Sequence, residues 1–461
     1  MKMILKVAAG CAIAFLLLQC VRSGIPSRPA AAEVQAPPEL RRILQKDCYS
    51  CHSDQKRLSW FDQIEPAYWF VRKDVLTARE HLNFSTLGAK PAAAQKAALF
   101  EAAAMMQLGA MPLPRFTRLH PAAKVTPAEL ETLKAYLNPW PAPGRAMPAA
   151  QGGATGAAVA AAGSGGAATP PAPASLEGVK PEPNGVAFDA RFERWKLIGM
   201  TERGDNRTLR FILGNDVAVR AAQAATLLPW PDGARLAKIA WRQDLHEDGL
   251  IHAGSFVQVE LMEKDAKRFK STDGWGWGRW RGLDLKPYGN DAKFVEECTT
   301  CHLPVRGNDA VYTQPITAAH VTRAEVVNNR AAAMPPGLPY QVLGWSVISL
   351  AVDPGQKTIA ALFGDDQAVQ AARARSANPG GARYPAGATL ALVTWDERDD
   401  PHWFGARIPD TVRSVEFVKI GSDGEPGPYM RFGPSGAEGV PQAEVGRRAN
   451  LIAGMGVAEL P

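Results

Sequence analysis

The chain has 461 residues, 52 Lys and Arg against 46 Asp and Glu, and a net charge of +6. That excess is modest for the length, and no dense Lys/Arg stripe with interleaved aromatics occurs, which argues against nucleic acid as a partner. The length corresponds to about three domains. Of the six cysteines, four fall in two five-residue motifs, and Cys11 and Cys20 lie in an N-terminal apolar run, so no pair remains for a structural disulfide in the folded part.

Residues 1–33 read as a signal peptide or membrane anchor. Lys2 and Lys6 precede an uncharged run from Val7 to Val21 that ends at Arg22. The run is short for a spanning helix and suits a signal-peptide core. Three fates stay open: cleavage near Ala30-Ala31-Ala32, retention as an anchor, or lipid on Cys20, although Gln19 fits the last poorly. Each exports the rest of the chain. The expectation is a periplasmic protein anchored to the inner membrane by this segment.

Residues 34–140 read as helical. Pro38-Glu39-Leu40 opens a helix that enters Cys48-Tyr49-Ser50-Cys51-His52. Cys-x-x-Cys-His is the attachment pattern of c-type haem, in which two thiols bond the haem and the adjacent His ligates iron. A second copy, Cys298-Thr299-Thr300-Cys301-His302, follows far downstream. A redox dithiol or half of a zinc site shares the two cysteines but leaves a His in the same place, twice, unexplained. The motifs therefore predict two covalently bound haem c groups, with Cys48, Cys51, Cys298 and Cys301 as attachment points and His52 and His302 as iron ligands. Such haem is attached outside the cytoplasm in bacteria, in agreement with export.

Ala92 to Leu108 reads as an Ala/Met-rich helix, and Thr126-Pro127-Ala128-Glu129 as a capping box opening a helix to about Leu137. Between them, Gly109-Ala110-Met111-Pro112-Leu113-Pro114 holds Met111 in a Pro-stiffened turn, suited to a sixth iron ligand. Met105 and Met106 are rivals that read better as core filler, and His120 reads better as a surface or supporting residue.

Residues 141–183 are rich in Ala, Gly and Pro and read as a flexible linker. Residues 184–325 and 326–461 form an internal repeat. Trp195-Lys-Leu-Ile-Gly-Met aligns with Trp345-Ser-Val-Ile-Ser-Leu, the run Thr208–Val219 with Thr358–Val369, and Trp230–Trp241 with Tyr384–Trp395. Strands are expected at 208–213, 236–241 and 256–262, and short helices at 216–225 and 366–374. The fold class is thus multidomain: an all-α N-terminal domain, then two mainly antiparallel, α+β domains. Only the first β-rich copy holds a Cys-x-x-Cys-His motif.

The stretch 35–140 resembles the bacterial haem-binding domain family in its haem motif, Trp60–Trp69, His81-Leu-Asn-Phe-Ser85, Gly109-Ala-Met-Pro and His120-Pro. The resemblance implies a cytochrome c-like helical scaffold with one c-type haem, Met111 as distal ligand, and often an N-terminal anchor. Residues 185–315 resemble the cytochrome P460 family, which includes the cytochromes c′-β, in Gly214-Asn-Asp-Val-Ala218, Pro231-Asp-Gly-Ala234, Val259–Asp265, Gly274-Trp-Gly-Trp277, the haem motif and Asp309-Ala-Val-Tyr-Thr313. Residues 340–435 resemble it more weakly, as a copy without haem. This second resemblance implies an antiparallel sheet around a c-type haem with an open iron position, hydroxylamine oxidation or nitric oxide binding, and a tendency to dimerise. It also implies a lysine-to-porphyrin link, for which Lys238 is the candidate; the second copy has Leu392 there. Glu260 is the candidate acid, although Glu416 matches it in the haem-less copy and points to a shared structural role. Met262 or Trp275 are alternative pocket residues.

The expected function is a dihaem cytochrome whose second haem meets a small nitrogenous ligand while the first exchanges electrons with a redox partner protein or membrane carrier. Met334, in Met334-Pro-Pro-Gly-Leu-Pro339, is the one candidate sixth ligand after the second motif. If it bound iron, the protein would be a pure electron carrier. A gas-binding protein without turnover is the third alternative.

Overall fold

The computed structural model describes residues 2–21, 23–138, 140, 176, 178–224, 226–316, 328–377 and 384–461. Most of the linker expected at 141–183, Arg22, and the boundary expected near 325 lie outside these residues. The described chain forms a helical unit ending at Asn138 and a β-rich unit that runs to the C-terminus.

The helical unit contains α1 (Lys2–Cys20), α2 (Pro38–Asp47), α3 (Tyr49–His52), α4 (Ala67–His81), α5 (Ala92–Gln107), α6 (Pro114–Leu119) and α7 (Pro127–Leu137). Most α1 side chains are exposed, and among the described residues no helix is long and apolar enough to cross a membrane. Pro38 starts α2, where its missing N–H costs nothing, and Leu40, Ile43 and Leu44 bury one face at helical spacing. The expected capping box forms: Thr126 Oγ1 accepts from the Glu129 N–H at 3.3 Å, and Glu129 Oε2 accepts from the Thr126 N–H at 2.8 Å. Gly88 is required where the chain crosses residue 33, because a Cβ there would lie 2.2 Å from the Glu33 carbonyl oxygen.

The β-rich unit runs β1 (Lys196–Arg203), β2 (Thr208–Gly214), α8 (Asp216–Ala224), β3 (Arg235–Leu245), β4 (Ile251–Lys264), β5 (Trp275–Arg281), β6 (Lys286–Pro287) and α9 (Val295–His302). The same order then recurs as β7 (Ser346–Asp353), β8 (Thr358–Gly364), α10 (Asp366–Ala377), β9 (Thr389–Asp399), β10 (Ala406–Ile420), β11 (Pro426–Gly433), β12 (Gly436–Glu438) and α11 (Gln442–Gly454). Local chemistry recurs with it. Asn215 Oδ1 accepts from the Ala218 and Arg235 N–H groups, and Asp365 accepts from those of Ala368 and Thr389. Gly233 (φ +85°) and Gly387 (φ +88°) make the equivalent left-handed turns before β3 and β9, a conformation that strains any side chain.

The two halves are not independent sheets. Strand order is β1-β2-β3-β4-β7-β8-β9-β10, and β10 pairs back with β1, closing a ring. The seams join Ile251 to Val352 between β4 and β7, and Glu202 to Arg407 between β10 and β1. β5 and β11 extend from β4 and β10. Period-two alternation then sorts the side chains. Phe211, Ile239, Trp241 and Val259 join Phe363, Val393, Trp395 and Phe417 in one apolar core on the inner face. Outer-face residues form two further clusters, one beneath α8 and the second motif, the other beneath α10 and α11. Each inner tryptophan donates to a carbonyl of the flanking segment: Trp241 Nε1 to Glu459 at 2.6 Å and Trp395 Nε1 to Ala332 at 3.0 Å.

A fragment of residues 178–316 leaves unpaired the end of β1 that β10 covers and the start of β4 that β7 covers, and unpaired edges recruit other strands. We expect that fragment to elute as a dimer or larger species in size-exclusion chromatography with light scattering, whereas a stable monomer would mean that the seams are dispensable.

Candidate haem sites

In the helical unit the first motif sits at the α2–α3 junction. The Cys48 N–H donates to the Leu44 carbonyl at 2.9 Å, so α2 leads directly into the motif. His52 Nδ1 donates to the Leu82 carbonyl at 2.9 Å, and the Phe84 N–H donates to the His52 carbonyl at 2.8 Å. A donor at Nδ1 fixes the tautomer and leaves the Nε2 lone pair for a metal. Phe84 stacks on Tyr49 at 5.3 Å between ring centres. Burial pushes the Cys48 and Cys51 thiols up to about 12 and about 11, the opposite of a reactive dithiol.

Met111 lies on the turn after α5, where the Ala110 and Met111 N–H groups donate to the Met105 carbonyl at 2.9 and 3.2 Å and Gly109 takes φ +67°. Its side chain is about one-third exposed, whereas Met105 and Met106 lie half-buried in α5. His120 is engaged elsewhere: its Nε2 meets Asp62 Oδ1 at 2.9 Å, and its ring stacks against Phe116 and Phe61.

The second motif occupies α9, against the outer face of β1–β5. Cys298 packs with Ile198, Ile212, Leu236, Trp275, Trp277 and Val311. His302 repeats the arrangement of His52: its Nδ1 donates to the Ala310 carbonyl at 2.7 Å. The rings of Trp277 and Tyr312 stand edge-on to it, at 4.4 and 5.1 Å. Burial holds the His302 imidazole neutral, down to about 4, and pushes the Cys298 thiol up to about 12. An apolar wall, two cysteines three residues apart that form no disulfide, and an imidazole with Nε2 unengaged by its orienting bond fit a haem.

The carbonyl that orients His302 belongs to a constrained loop. Asp309 and Ala310 both adopt left-handed backbone, at φ +50° and +62°, which L-residues adopt only when held. Lys264 Nζ donates to both Asp309 carboxylate oxygens at 2.7 Å, the Trp230 N–H to Oδ2 at 2.9 Å, and Trp275 Nε1 to the Asp309 carbonyl at 2.8 Å. Tyr312 Oη donates to the Cys301 carbonyl at 2.7 Å, tying the loop back to the motif. Trp275, one of two alternative pocket residues read from the sequence, supports this loop.

Strand register brings Lys238 and Glu260 together. Lys238 on β3 faces Glu260 on β4, which faces Arg279 on β5. Glu260 is ion-paired to Lys238 and lies 3.0 Å from Arg279 Nε, and Arg279 reaches Glu297 on α9 at 3.4 Å. Burial lowers the Lys238 amine to about 8 against the pull of Glu260. Burial acts to raise the Glu260 carboxyl, but Lys238 and Arg279 outweigh it and hold the carboxylate well below its ordinary range. In the second half Glu416 occupies the matching position, facing Leu392 and Arg431, and is held by Arg448 and by Tyr429 Oη at 2.6 Å. The acid recurs with different partners, and the lysine occurs only beside the motif.

Met334 is placed away from the second motif. It is buried in the inner-face core with Trp241 and Trp395, whereas Cys298 packs on the outer face. The Lys264–Asp309 clamp and Arg279 were not singled out from the sequence, although Asp309 and Tyr312 lie in a stretch that carries the family resemblance.

Residues 11–139 match a family model described as a haem-binding domain, and residues 190–313 match one described as cytochrome P460. The chain carries a haem-binding domain followed by a cytochrome P460 domain. No curated protein matches it. The cytochrome P460 match ends one residue past Tyr312, so the β7–β12 half lies beyond it.

Glu260→Gln strands Lys238 and Arg279 without their anion. We expect the substitution to cost about 3 kcal/mol in denaturant unfolding at pH 7. Because the folded carboxyl titrates below its unfolded value of 4.5, this contribution is complete above that pH and fades as pH falls through the folded value. The gap between wild type and variant should therefore narrow in acid; a gap that does not change with pH would contradict the assignment.

Proposed function

We propose that the protein is a periplasmic dihaem c-type cytochrome. Cys48 and Cys51 hold the first haem with His52 and Met111 as ligands, and Cys298 and Cys301 hold the second with His302. The first exchanges electrons with a redox partner protein or membrane carrier, and the second meets hydroxylamine or nitric oxide. The half without cysteines is, in this reading, a P460-like copy retained as scaffold. Export is supported by the Lys-flanked apolar run at the N-terminus together with the two motifs.

One observation carries the assignment of the second site: Met334 belongs to the core on the inner face of the sheet, and Cys298 to the cluster on the outer face. This placement favours an open iron position over a six-coordinate carrier. When bound there, haem supplies a redox-active metal able to take a small ligand. The chain's own residues hold His302 neutral and oriented, surround it with tryptophan and aliphatic side chains, and place Lys238 and Glu260 on adjacent strands.

The ladder bears on the choice of nitrogen species. A general base works best when its pKa lies near the operating pH. Glu260 is held far below that by two cations, so it is poorly suited to take a proton from hydroxylamine. Lys238, lowered to about 8, is the member closest to neutrality. This favours nitric oxide binding unless Lys238 itself takes part, as a link to the porphyrin implied by the P460 resemblance would require.

Mass and absorption spectra of the exported full-length protein, oxidised and reduced, with and without nitric oxide, test the proposal. Two covalent haems are expected, one of them responsive to nitric oxide. A strongly red-shifted reduced Soret band would indicate a Lys238-linked haem and hydroxylamine chemistry, and two haems indifferent to nitric oxide would reduce the protein to an electron carrier. Met111→Ala should alter the spectrum of the first haem alone; an unchanged first haem removes Met111 as its ligand.

A further inference from the structure

We propose that His402, contributed by the half without cysteines, is a positioning residue for His302 and sets the redox properties of the second haem. The inference rests on the reading of Cys298–His302 as a haem site.

The segment from Asp400 to Trp403 lies between β9 and β10. His402 Nδ1 donates to the Tyr312 carbonyl at 2.7 Å, and its Nε2 faces Asn308 Nδ2 at 3.4 Å. Since a carbonyl oxygen only accepts, Nδ1 carries the proton, and a neutral ring leaves Nε2 to accept from Asn308. One imidazole thus brackets both ends of the loop 308–312, the loop whose Ala310 carbonyl orients His302 and whose Asp309 and Ala310 are held in left-handed backbone.

The bracket is itself braced. The Asp400 carboxylate accepts from the His402 N–H at 2.8 Å. Trp403 meets the Tyr312 ring edge-on at 5.6 Å, and the Arg203 guanidinium of β1 lies 4.3 Å from the centre of the Trp403 ring. Tyr312 in turn stands edge-on to His302. A continuous packed path therefore joins the β10–β1 seam, through Arg203, Trp403 and Tyr312, to His302.

A hydrogen bond from the distant nitrogen of an axial imidazole to a fixed acceptor raises its basicity and favours oxidised iron. Loosening the Ala310 carbonyl weakens that bond and raises the reduction potential. His402→Asn keeps an N–H donor at the position of Nδ1, and His402→Ala keeps none.

The test is spectroelectrochemical titration of the exported full-length holoprotein and both variants, with the first haem as internal reference and the number of covalent haems counted by mass. We expect His402→Ala to raise the potential of the second haem and shift its iron–histidine vibration to lower frequency, His402→Asn to lie close to wild type, and the first haem to stay unchanged. An unmoved potential and vibration in His402→Ala, even with a lower melting temperature, would make His402 a structural brace only and overturn the proposal. If His402→Ala does not mature, a displaced potential in His402→Asn equal to that of Asn308→Ala or Trp403→Ala variants would also overturn it, since donation at Nδ1 would then not matter. Absence of haem from Cys298 and Cys301 in the wild type would instead show that the underlying haem reading has failed.

Discussion

Backbone pairing across two seams is the constraint on which the β-rich unit depends. Each antiparallel half leaves backbone unpaired at its first strand and at the start of its fourth, and burying its inner face requires a second apolar face. Here both needs are met within one chain, because β4 pairs with β7 and β10 with β1. Once the ring is closed, the inner-face residues of both halves share one core and the outer faces are freed for helices and ligands. The second half thus supplies the strands and the apolar face that close the first.

The two halves differ on their outer faces. Beside the Cys-x-x-Cys-His helix the sheet presents Lys238, Glu260 and Arg279. On the other half the same row presents Leu392, Glu416 and Arg431, and α11 covers it, with Arg448 closing over the glutamate. A buried carboxylate is retained only with cations around it, and each half provides them differently. The geometry therefore separates what the scaffold needs, a paired glutamate on β4 and β10, from what accompanies the motif, the lysine on β3.

Much of this was legible in the sequence because the signals are local. The capping box at Thr126, the Pro-led start of α2 and the alternating strands at 208–213 and 236–241 depend on neighbours within a few residues, and all appear in the structure. The facing of Lys238 and Glu260 depends on the β3–β4 register and is seen only in the structure. Other features are not local. Nothing in Ser346–Asp353 indicates that β7 will pair with β4, so the repeats read as two domains where the strands make one sheet. Met334 sits in a turn that resembles that of Met111, and only the three-dimensional core shows it on the other face. His402 touches Tyr312 across about ninety positions of sequence, a contact no spacing rule could propose.

The proposed haem at His302, with an open iron position, can be tested by spectroscopy. Resonance Raman spectra of the exported Cys48→Ala/Cys51→Ala variant, which keeps only the second motif, test this most directly. We expect high-spin, five-coordinate iron in the reduced state with an iron–histidine vibration. A low-spin, six-coordinate spectrum in the absence of added ligand would contradict it.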